Sequence, residues 1–312
     1  MSKRRSLGHT GIEVTPISAG SGTFLGFLDG EDIPLPESIQ LVHALFASEQ
    51  VRFLDTSNNY GLGESERRIG LAIREYGGLP DDFILQTKAD RDMVTGEFSG
   101  SRMRRSLEES MERLGLDFLP LVYLHDPENT TWELSMADDG PVTALLQARE
   151  EGLIGHLGIS GGPVDLLARY VRTGFFEALI THNRFTLVDR SADALLTLAA
   201  NRGLGVINAS PYGGGLLTRW PVSPGWYAYD QAPPALLAAA NRIGALCQEA
   251  DVSLAAAALH WSLRDPRITS TTIGMRTVGD LEATERILDM PIPDELWAAI
   301  GAVELDPTTW QN

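Results

Sequence analysis

The stretch Leu119-Pro120-Leu121-Val122-Tyr123-Leu124-His125 is a nearly unbroken run of apolar residues that ends in a polar side chain. A run this apolar is typical of a strand that is buried on both faces, as in a parallel sheet covered by helices. A segment with helical spacing follows it and leads to a second such run, Ile154–Ser160. Together the three segments predict a strand, helix and strand unit of an α/β fold.

The same alternation continues in both directions along the chain and gives eight predicted strands. Eight strands that alternate with helices close into a barrel of roughly 250 residues, and insertions accommodate the remainder of this longer chain. We therefore predict that residues 1–312 form a single (β/α)8 TIM barrel domain. The other six strands are predicted at Pro16–Ala19, Arg52–Asp55, Phe83–Lys88, Ala178–His182, Gly205–Ser210 and Thr269–Ile273.

Three segments add to this barrel. Gly8-His9-Thr10-Gly11 lies between Arg5–Leu7 and Ile12–Val14 and predicts an N-terminal β-hairpin placed to plug the barrel's bottom. An extra helix is predicted near the C-terminus. Residues 211–233 form a long irregular stretch with five aromatic residues among four prolines, which fits either a lid over a site or a surface loop held by its own aromatics.

The composition excludes several classes of partner. The net charge is −17, from 42 acidic against 25 basic residues, and such a surface repels nucleic acid and anionic membranes. Cys247 is the single cysteine, so no intramolecular disulfide and no metal site are predicted. No apolar signal segment or run of about 18 apolar residues occurs, and we predict a cytoplasmic protein. The sequence leaves the oligomeric state open.

Polar side chains stand at the ends of three successive predicted strands. Asp55 ends the second strand, Lys88 the third and His125 the fourth, and Tyr60 follows Asp55 by five residues. The C-terminal ends of barrel strands meet at one mouth, where barrel enzymes carry their active sites. Each residue alone has a structural explanation, such as a loop cap or a core tyrosine. Together they suit proton transfer at a substrate oxygen.

These residue types fit hydride transfer between an alcohol and a carbonyl. A free phenol with a pKa near 10 is a poor base, and a neighbouring ammonium lowers that pKa. We predict that Lys88 does this for Tyr60, that Asp55 keeps Lys88 charged, and that His125 orients the substrate oxygen. An aldolase that uses Lys88 in a Schiff base is an alternative, but Asp55 would raise a lysine pKa that this chemistry needs lowered.

The order of these four residues resembles the catalytic tetrad of the aldo-keto reductases. Phe53–Gly61 followed by Gly63-Glu64-Ser65-Glu66 is similar to the family's Asp-Thr-Ala, Tyr-Gly and Gly-x-Ser-Glu signature. Leu7–Thr15 and Ser106–Asp117 also match, and the resemblance covers nearly the whole chain. It implies a small carbonyl or sugar substrate and NAD(P) as the cofactor.

Shorter motifs resemble the branch that contains L-galactose dehydrogenase and D-threo-aldose (L-fucose) dehydrogenase. They are His125-Asp126-Pro127, Asn208–Pro211, Gly215–Leu217 and Leu305–Trp310. This resemblance implies oxidation of an L-galactose-, L-fucose- or D-arabinose-like aldose at C1 to the lactone, with Tyr60 accepting the hydroxyl proton. A broad NADPH-dependent aldehyde or ketone reductase and a non-catalytic, cofactor-sensing or partner-binding barrel are the alternatives.

The cofactor is not expected to bind through a Rossmann fingerprint, because Gly20-Ser21-Gly22 is followed by Leu25 where that fingerprint has glycine. The family resemblance implies instead a dinucleotide that lies across the last strands. The family's carboxamide-binding Asn is Gly161 here and its stacking aromatic is Ala209, so recognition of the nicotinamide is rearranged. Matching positions on the nicotinamide and pyrophosphate are Ser160, His182, Asn183, Ser210, Tyr212 and Gly214.

The segment from Gly274 to Thr284 opens a helix after the eighth strand, where backbone N–H groups favour phosphate. The resemblance places it on the adenosine end. Many NADP-dependent members carry Arg where Asp280 stands, and an acid repels a 2′-phosphate, whereas Arg276 would attract it. The balance slightly favours NAD. For the substrate wall we predict Phe24, Trp220, Trp226 and Tyr229.

Overall fold

The computed structural model describes residues 4–26 and 31–311. Each strand of its barrel lies within one residue of the predicted bounds. In chain order the strands are β1 (Arg5–Ser6), β2 (Glu13–Val14), β3 (Ile17–Gly20), β4 (Phe53–Asp55), β5 (Ile84–Ala89), β6 (Leu119–His125), β7 (Ile154–Gly161), β8 (Ala178–His182), β9 (Gly205–Ala209), β10 (Trp226–Tyr227), β11 (Asp230–Gln231) and β12 (Ser270–Gly274).

Strands β3 to β9 and β12 form a closed parallel barrel, which confirms the predicted fold class. The barrel closes between its first and last strands, since β12 pairs with both β3 and β9. The hydroxyl groups of Ser18 and Thr272 lie 2.6 Å apart across this seam. The strand ends are thereby gathered at one mouth.

Helices surround the barrel. They are α1 (Leu35–Ala47), α2 (Glu64–Tyr76), α3 (Gly100–Leu114), α4 (Trp132–Ser135), α5 (Pro141–Glu150), α6 (Val164–Thr173), α7 (Asp193–Asn201), α8 (Pro234–Glu249), α9 (Leu254–Leu263), α10 (Val278–Leu288) and α11 (Asp294–Gly301). The extra C-terminal helix is α11, which buries Leu296 and Ile300 against the outer core that includes Ile243 of α8. Within the described ranges, no helix has the length and apolar character needed to span a membrane.

The N-terminal hairpin of β1 and β2 closes the bottom of the barrel, as predicted. Leu7 and Val14 are fully buried in one cluster with inward-facing strand residues such as Phe53 and Ile207. Gly8 makes this close approach possible, because its φ is +57° and a Cβ there would lie 2.2 Å from the amide nitrogen of Gly205.

The long stretch 211–233 is more ordered than predicted. It contains a short antiparallel hairpin of β10 and β11, in which Trp226 pairs with Gln231. Tyr227 anchors this hairpin, since its ring is buried and its hydroxyl donates to the Asn183 carbonyl oxygen at 2.8 Å. The segment is therefore held at the end of β8 by its own aromatic residue.

Candidate active site

Lys88 is the centre of the polar cluster at the barrel mouth. Its buried Nζ donates to Asp55 Oδ2 at 2.8 Å, to the Thr56 carbonyl oxygen at 2.8 Å and to the Tyr60 hydroxyl at 2.9 Å. The other carboxylate oxygen of Asp55 accepts from Gln86 Nε2 at 2.7 Å. The strand ends thus bring Asp55, Tyr60 and Lys88 into direct contact.

The charges at this cluster differ in one respect from the sequence expectation. Burial lowers the pKa of Lys88, but Asp55 and Tyr60 outweigh it and raise that pKa above its usual value. Burial raises the pKa of Tyr60, Lys88 lowers it and Asp55 raises it again, so the phenol ends well above its ordinary pKa. Lys88 thus acts on the Tyr60 pKa in the predicted direction, but burial and Asp55 outweigh it, so the pKa of the phenol is not lowered overall.

A raised lysine pKa also bears on the aldolase alternative. Schiff-base formation needs a neutral amine, and so it needs a lysine whose pKa is lowered. The Lys88 ammonium is instead held by an anion and two oxygen acceptors. The geometry favours Lys88 as a fixed cation beside the phenol.

His125 lies beside Tyr60, with the two ring centroids 6.0 Å apart and the rings nearly perpendicular. Its Nδ1 lies 2.8 Å from Oδ1 of Asp90, a buried acid at the loop that follows β5. Asp90 was not among the predicted site residues, because the third barrel strand was predicted to end at Lys88. The signal was its position: β5 continues to Ala89, so Asp90, two residues after Lys88, is the first polar side chain beyond the end of the strand.

The rim of the mouth is polar. Asp126 has a left-handed backbone with φ 46°, and this turn brings its carboxylate to within 3.5 Å of His125 Nε2. The ring of Tyr229 stands edge-on to the ring of His182, with centroids 5.7 Å apart. Burial and the nearby Arg184 lower the pKa of His182 to about 4, so this imidazole is neutral at physiological pH. The rim offers hydrogen-bonding groups to a polar ligand.

Two of the predicted cofactor residues are buried at the C-terminal ends of neighbouring barrel strands. Ser160 is buried and pairs in register with His125 across β6 and β7. Asn183 is also buried, and its side-chain oxygen has no hydrogen-bond partner among the described residues. A buried amide left unsatisfied costs about 1–3 kcal/mol, so a polar ligand group that pairs with it would be stabilised. This orphaned amide fits the carboxamide of a nicotinamide.

The loop after β9, where the predicted pyrophosphate residues lie, has several residues in the left-handed region of the backbone. Ser210 has φ 56°, and the three glycines at 213–215 all have positive φ values. Gly214 lies against the backbone of Ala228 in the β10–β11 hairpin. Tyr212 is half-buried, and burial raises its pKa to about 12, so its hydroxyl stays protonated.

The start of α10 is less available to an anion than predicted. Asp280 Oδ2 accepts hydrogen bonds from the backbone N–H of Arg276 at 2.8 Å and of Thr277 at 3.0 Å. The Thr284 hydroxyl donates to the Asp280 carbonyl oxygen inside the helix, and the Arg276 guanidinium donates to the Glu31 carbonyl oxygen at 2.6 Å. An aspartate thus occupies two N–H groups that would otherwise face a phosphate near the exposed Gly274.

The predicted substrate wall is brought together only in part. Tyr229 stands beside His182 at the mouth, and Trp226 is exposed on the β10–β11 hairpin. Phe24 is 1% exposed within the core and offers no surface to a substrate. Trp220 packs over Gly244 of α8 and donates its indole N–H to the Asn241 carbonyl oxygen, so its described contacts are with that helix.

Comparison with known proteins accounts for this arrangement. The family model described as the aldo/keto reductase family matches residues 17–304. A D-threo-aldose 1-dehydrogenase of Pseudomonas sp is 32% identical over 284 residues, which cover 83% of this chain and 85% of the relative. An L-galactose dehydrogenase of Arabidopsis thaliana is 30% identical over 318 residues, with 99% and 97% covered.

The fold agrees with a solved structure at lower sequence identity. The holo form of an aldo-keto reductase from Bacillus halodurans superposes with a TM-score of 0.79 at 20% identity, over 99% of this chain and 98% of that one. At this identity the likeness supports the fold alone. Membership of the family is shown by the sequence match to the family model and to the two dehydrogenases. The chain belongs to the aldo/keto reductase family and is an NAD(P)-dependent oxidoreductase.

Proposed function

We propose that this enzyme oxidises an aldose at C1 to the corresponding lactone, with NAD as its preferred cofactor. The observation that carries the proposal is the hydrogen bond of 2.9 Å between Lys88 Nζ and the Tyr60 hydroxyl at a polar barrel mouth. Similarity over most of the chain to two proteins named as aldose dehydrogenases supports the substrate class. The substrate proposed is an L-galactose-, L-fucose- or D-arabinose-like sugar.

The residues at the mouth would divide the work between them. The anomeric hydroxyl would donate to the deprotonated oxygen of Tyr60, a phenolate stabilised by the Lys88 ammonium, which takes the proton and becomes the neutral phenol. His125 would contact the same substrate oxygen, and the carboxylate of Asp126 would accept a hydrogen bond from a further sugar hydroxyl. When bound, the nicotinamide supplies the acceptor for the hydride that leaves C1.

The cofactor would be held by residues at or just after the C-terminal ends of β7, β8, β9 and β12. Asn183, whose side-chain oxygen is buried without a partner among the described residues, would pair with the carboxamide together with Ser160 and His182. Ser210, Tyr212 and Gly214 would lie along the pyrophosphate, and Gly274 and Arg276 would lie near the adenosine. Asp280, which already caps α10, would disfavour a 2′-phosphate.

One observation favours the second candidate, reduction of an aldehyde or ketone with NADPH. The raised pKa of Tyr60 keeps the phenol protonated at neutral pH, and a protonated phenol is ready to act as an acid. The two candidates use the same residues in opposite directions. They differ in substrate and in the preferred nucleotide.

A substrate panel tests the proposal. L-galactose, L-fucose, D-arabinose and simple aldehydes and ketones are assayed at 340 nm in both directions with each nucleotide. We expect turnover to be fastest for aldose oxidation with NAD, and the product to be a lactone by mass spectrometry. Faster reduction of simple carbonyls, or a hundredfold preference for NADP, would replace the first candidate by the second.

Asp280→Asn tests the cofactor preference separately. Removing one negative charge near a 2′-phosphate should tighten NADP binding about fivefold, which corresponds to about 1 kcal/mol for a charge pair near a surface. Binding of NAD should stay unchanged, because the Asn oxygen can still cap α10. Calorimetric titration of both nucleotides gives the answer, with Glu282→Gln on the same helix as the matched charge control. Equal effects of the two variants on NADP binding would contradict a specific role of Asp280.

A further inference from the structure

Asp90 lies next to the imidazole of His125 and is not one of the four tetrad residues. It is 1% exposed, and His125 is 7% exposed, so both groups are shielded from water. The Asp90 Oδ1 to His125 Nδ1 distance is 2.8 Å, a normal length for a charge-assisted hydrogen bond.

The hydrogen bonds around Asp90 determine which ring nitrogen carries a hydrogen. The Ser57 hydroxyl donates to Asp90 Oδ2, as does the Asn59 backbone N–H at 3.3 Å, and Asn59 Nδ2 donates to Oδ1 at 3.0 Å. A carboxylate that receives these donors has no hydrogen to give, so the hydrogen between Asp90 and His125 sits on Nδ1. The other ring nitrogen, Nε2, faces the mouth, where Asp126 Oδ1 lies 3.5 Å from it.

We propose that Asp90 is a positioning residue that fixes His125 in one orientation, with Nδ1–H held by the carboxylate and Nε2 directed to the substrate oxygen. The inference concerns how the proposed site works and rests on the proposed role of His125. It applies to an alcohol or carbonyl oxygen whichever way the reaction runs. Asp90 thus acts through His125 and does not itself contact the substrate.

The arrangement also sets the charge of the imidazole. Burial lowers the pKa of His125, but Asp90 and Asp126 outweigh it and raise that pKa above its ordinary value. A protonated ring would donate Nε2–H to the oxygen and stabilise the negative charge that develops there as Tyr60 withdraws the proton. The groups that face His125 are Lys88 from β5, Asp90 from the loop after β5, Ser57 and Tyr60 from the loop after β4, Asp126 from the loop after β6 and His182 from β8.

The sign of the pH dependence follows from these neighbours. A histidine whose pKa is raised in the folded protein keeps its charge to a higher pH than a free histidine does. Asp90→Asn removes one of the two anions, so the ring should lose its proton at a lower pH. The charged form, and the rate that depends on it, should then decline earlier as the pH rises.

Nitrogen-15 NMR of histidine-labelled enzyme tests the inference without any substrate. For the wild type we expect His125, assigned with a His125→Gln variant, to show a protonated Nδ1 at every pH. In Asp90→Asn its titration should move to lower pH. Because the pKa of His182 is lowered to about 4, its signal titrates well below the neutral range. A neutral wild-type ring protonated at Nε2, or an unmoved titration in Asp90→Asn, would overturn the inference.

Turnover provides the second readout. Asp90→Asn should lower kcat by about 10- to 100-fold, less than loss of the proton-transfer residue itself, and its pH profile should move with the NMR titration. Asp92→Asn is the matched control, because Asp92 lies in the same loop and its carboxylate accepts from the backbone N–H of Val94 and Thr95.

If Asp90→Asn does not fold, the wild-type NMR spectrum still decides whether Nδ1 of His125 carries the hydrogen. Failure of the aldose panel would leave this NMR result unaffected, so the two proposals fail separately.

Discussion

Replacing Tyr60 by Phe is expected to lower kcat by about 10² to 10⁴-fold in both directions, the usual contribution of a positioned acid or base. The change removes only the hydroxyl that Lys88 holds at 2.9 Å, and Lys88 keeps its bonds to Asp55 and to the Thr56 carbonyl oxygen. The fold and nucleotide binding should therefore survive. Turnover at 340 nm, thermal unfolding and a nucleotide titration measure the three properties.

The pH dependence sharpens this prediction. Burial raises the pKa of Tyr60, so the phenol is protonated through the neutral range. At pH values where His125 keeps its proton, oxidation, in which the Tyr60 phenolate accepts a proton, should accelerate as the pH rises, and reduction should accelerate as it falls. Tyr76→Phe is a suitable control, because Tyr76 is an exposed tyrosine on α2. Near-normal turnover of Tyr60→Phe would require another proton-transfer residue.

Lys88→Met is expected to reduce both activity and stability. The Lys88 and Asp55 side chains are only 2% and 7% exposed, and removing one member of a buried ion pair costs about 3–5 kcal/mol. Tyr60 would also lose the cation that lowers its pKa, so proton transfer should slow by at least about tenfold. Urea unfolding and steady-state kinetics measure the two effects.

A double variant separates stability from catalysis. Asp55→Asn combined with Lys88→Met leaves no unpaired charge, so much of the lost unfolding free energy should return. Activity should stay low, because Tyr60 still lacks its ammonium. If the double variant regained activity along with stability, the role of Lys88 would be structural alone.

The sequence was most informative where buried strands and polar strand ends coincide. Runs such as Leu119–His125 are long and apolar enough to define a strand by themselves, and barrel closure then brings Asp55, Lys88 and the loop after β4 together. The hairpin of β10 and β11 was missed, because strands of two residues are too short to show alternation. Trp220 was predicted to line the substrate site because it is aromatic. Its indole instead packs against α8, where Gly244 has no side chain to exclude it.

The pKa values at the site were harder to predict than the identity of the residues that form it. A lysine beside a tyrosine can be expected from the motif, but the balance between burial, Lys88 and Asp55 depends on distances that no motif contains. Asp90 was missed for a similar reason, since its importance comes from contact with His125, 35 positions away. The Asp280 cap likewise appears only when the backbone N–H groups of Arg276 and Thr277 are in place.

The seam between β3 and β12 has a consequence for synthesis of the chain. Ser18 and Thr272 are 254 positions apart, so the first barrel strand leaves the ribosome long before one of its two neighbours exists. At about 5–20 residues per second, this strand waits roughly 13–50 s with one edge unpaired. Its exposed N–H and C=O groups are a hazard for aggregation during that interval. A nascent chain stalled before residue 270 should therefore depend on chaperones far more than the full-length protein does.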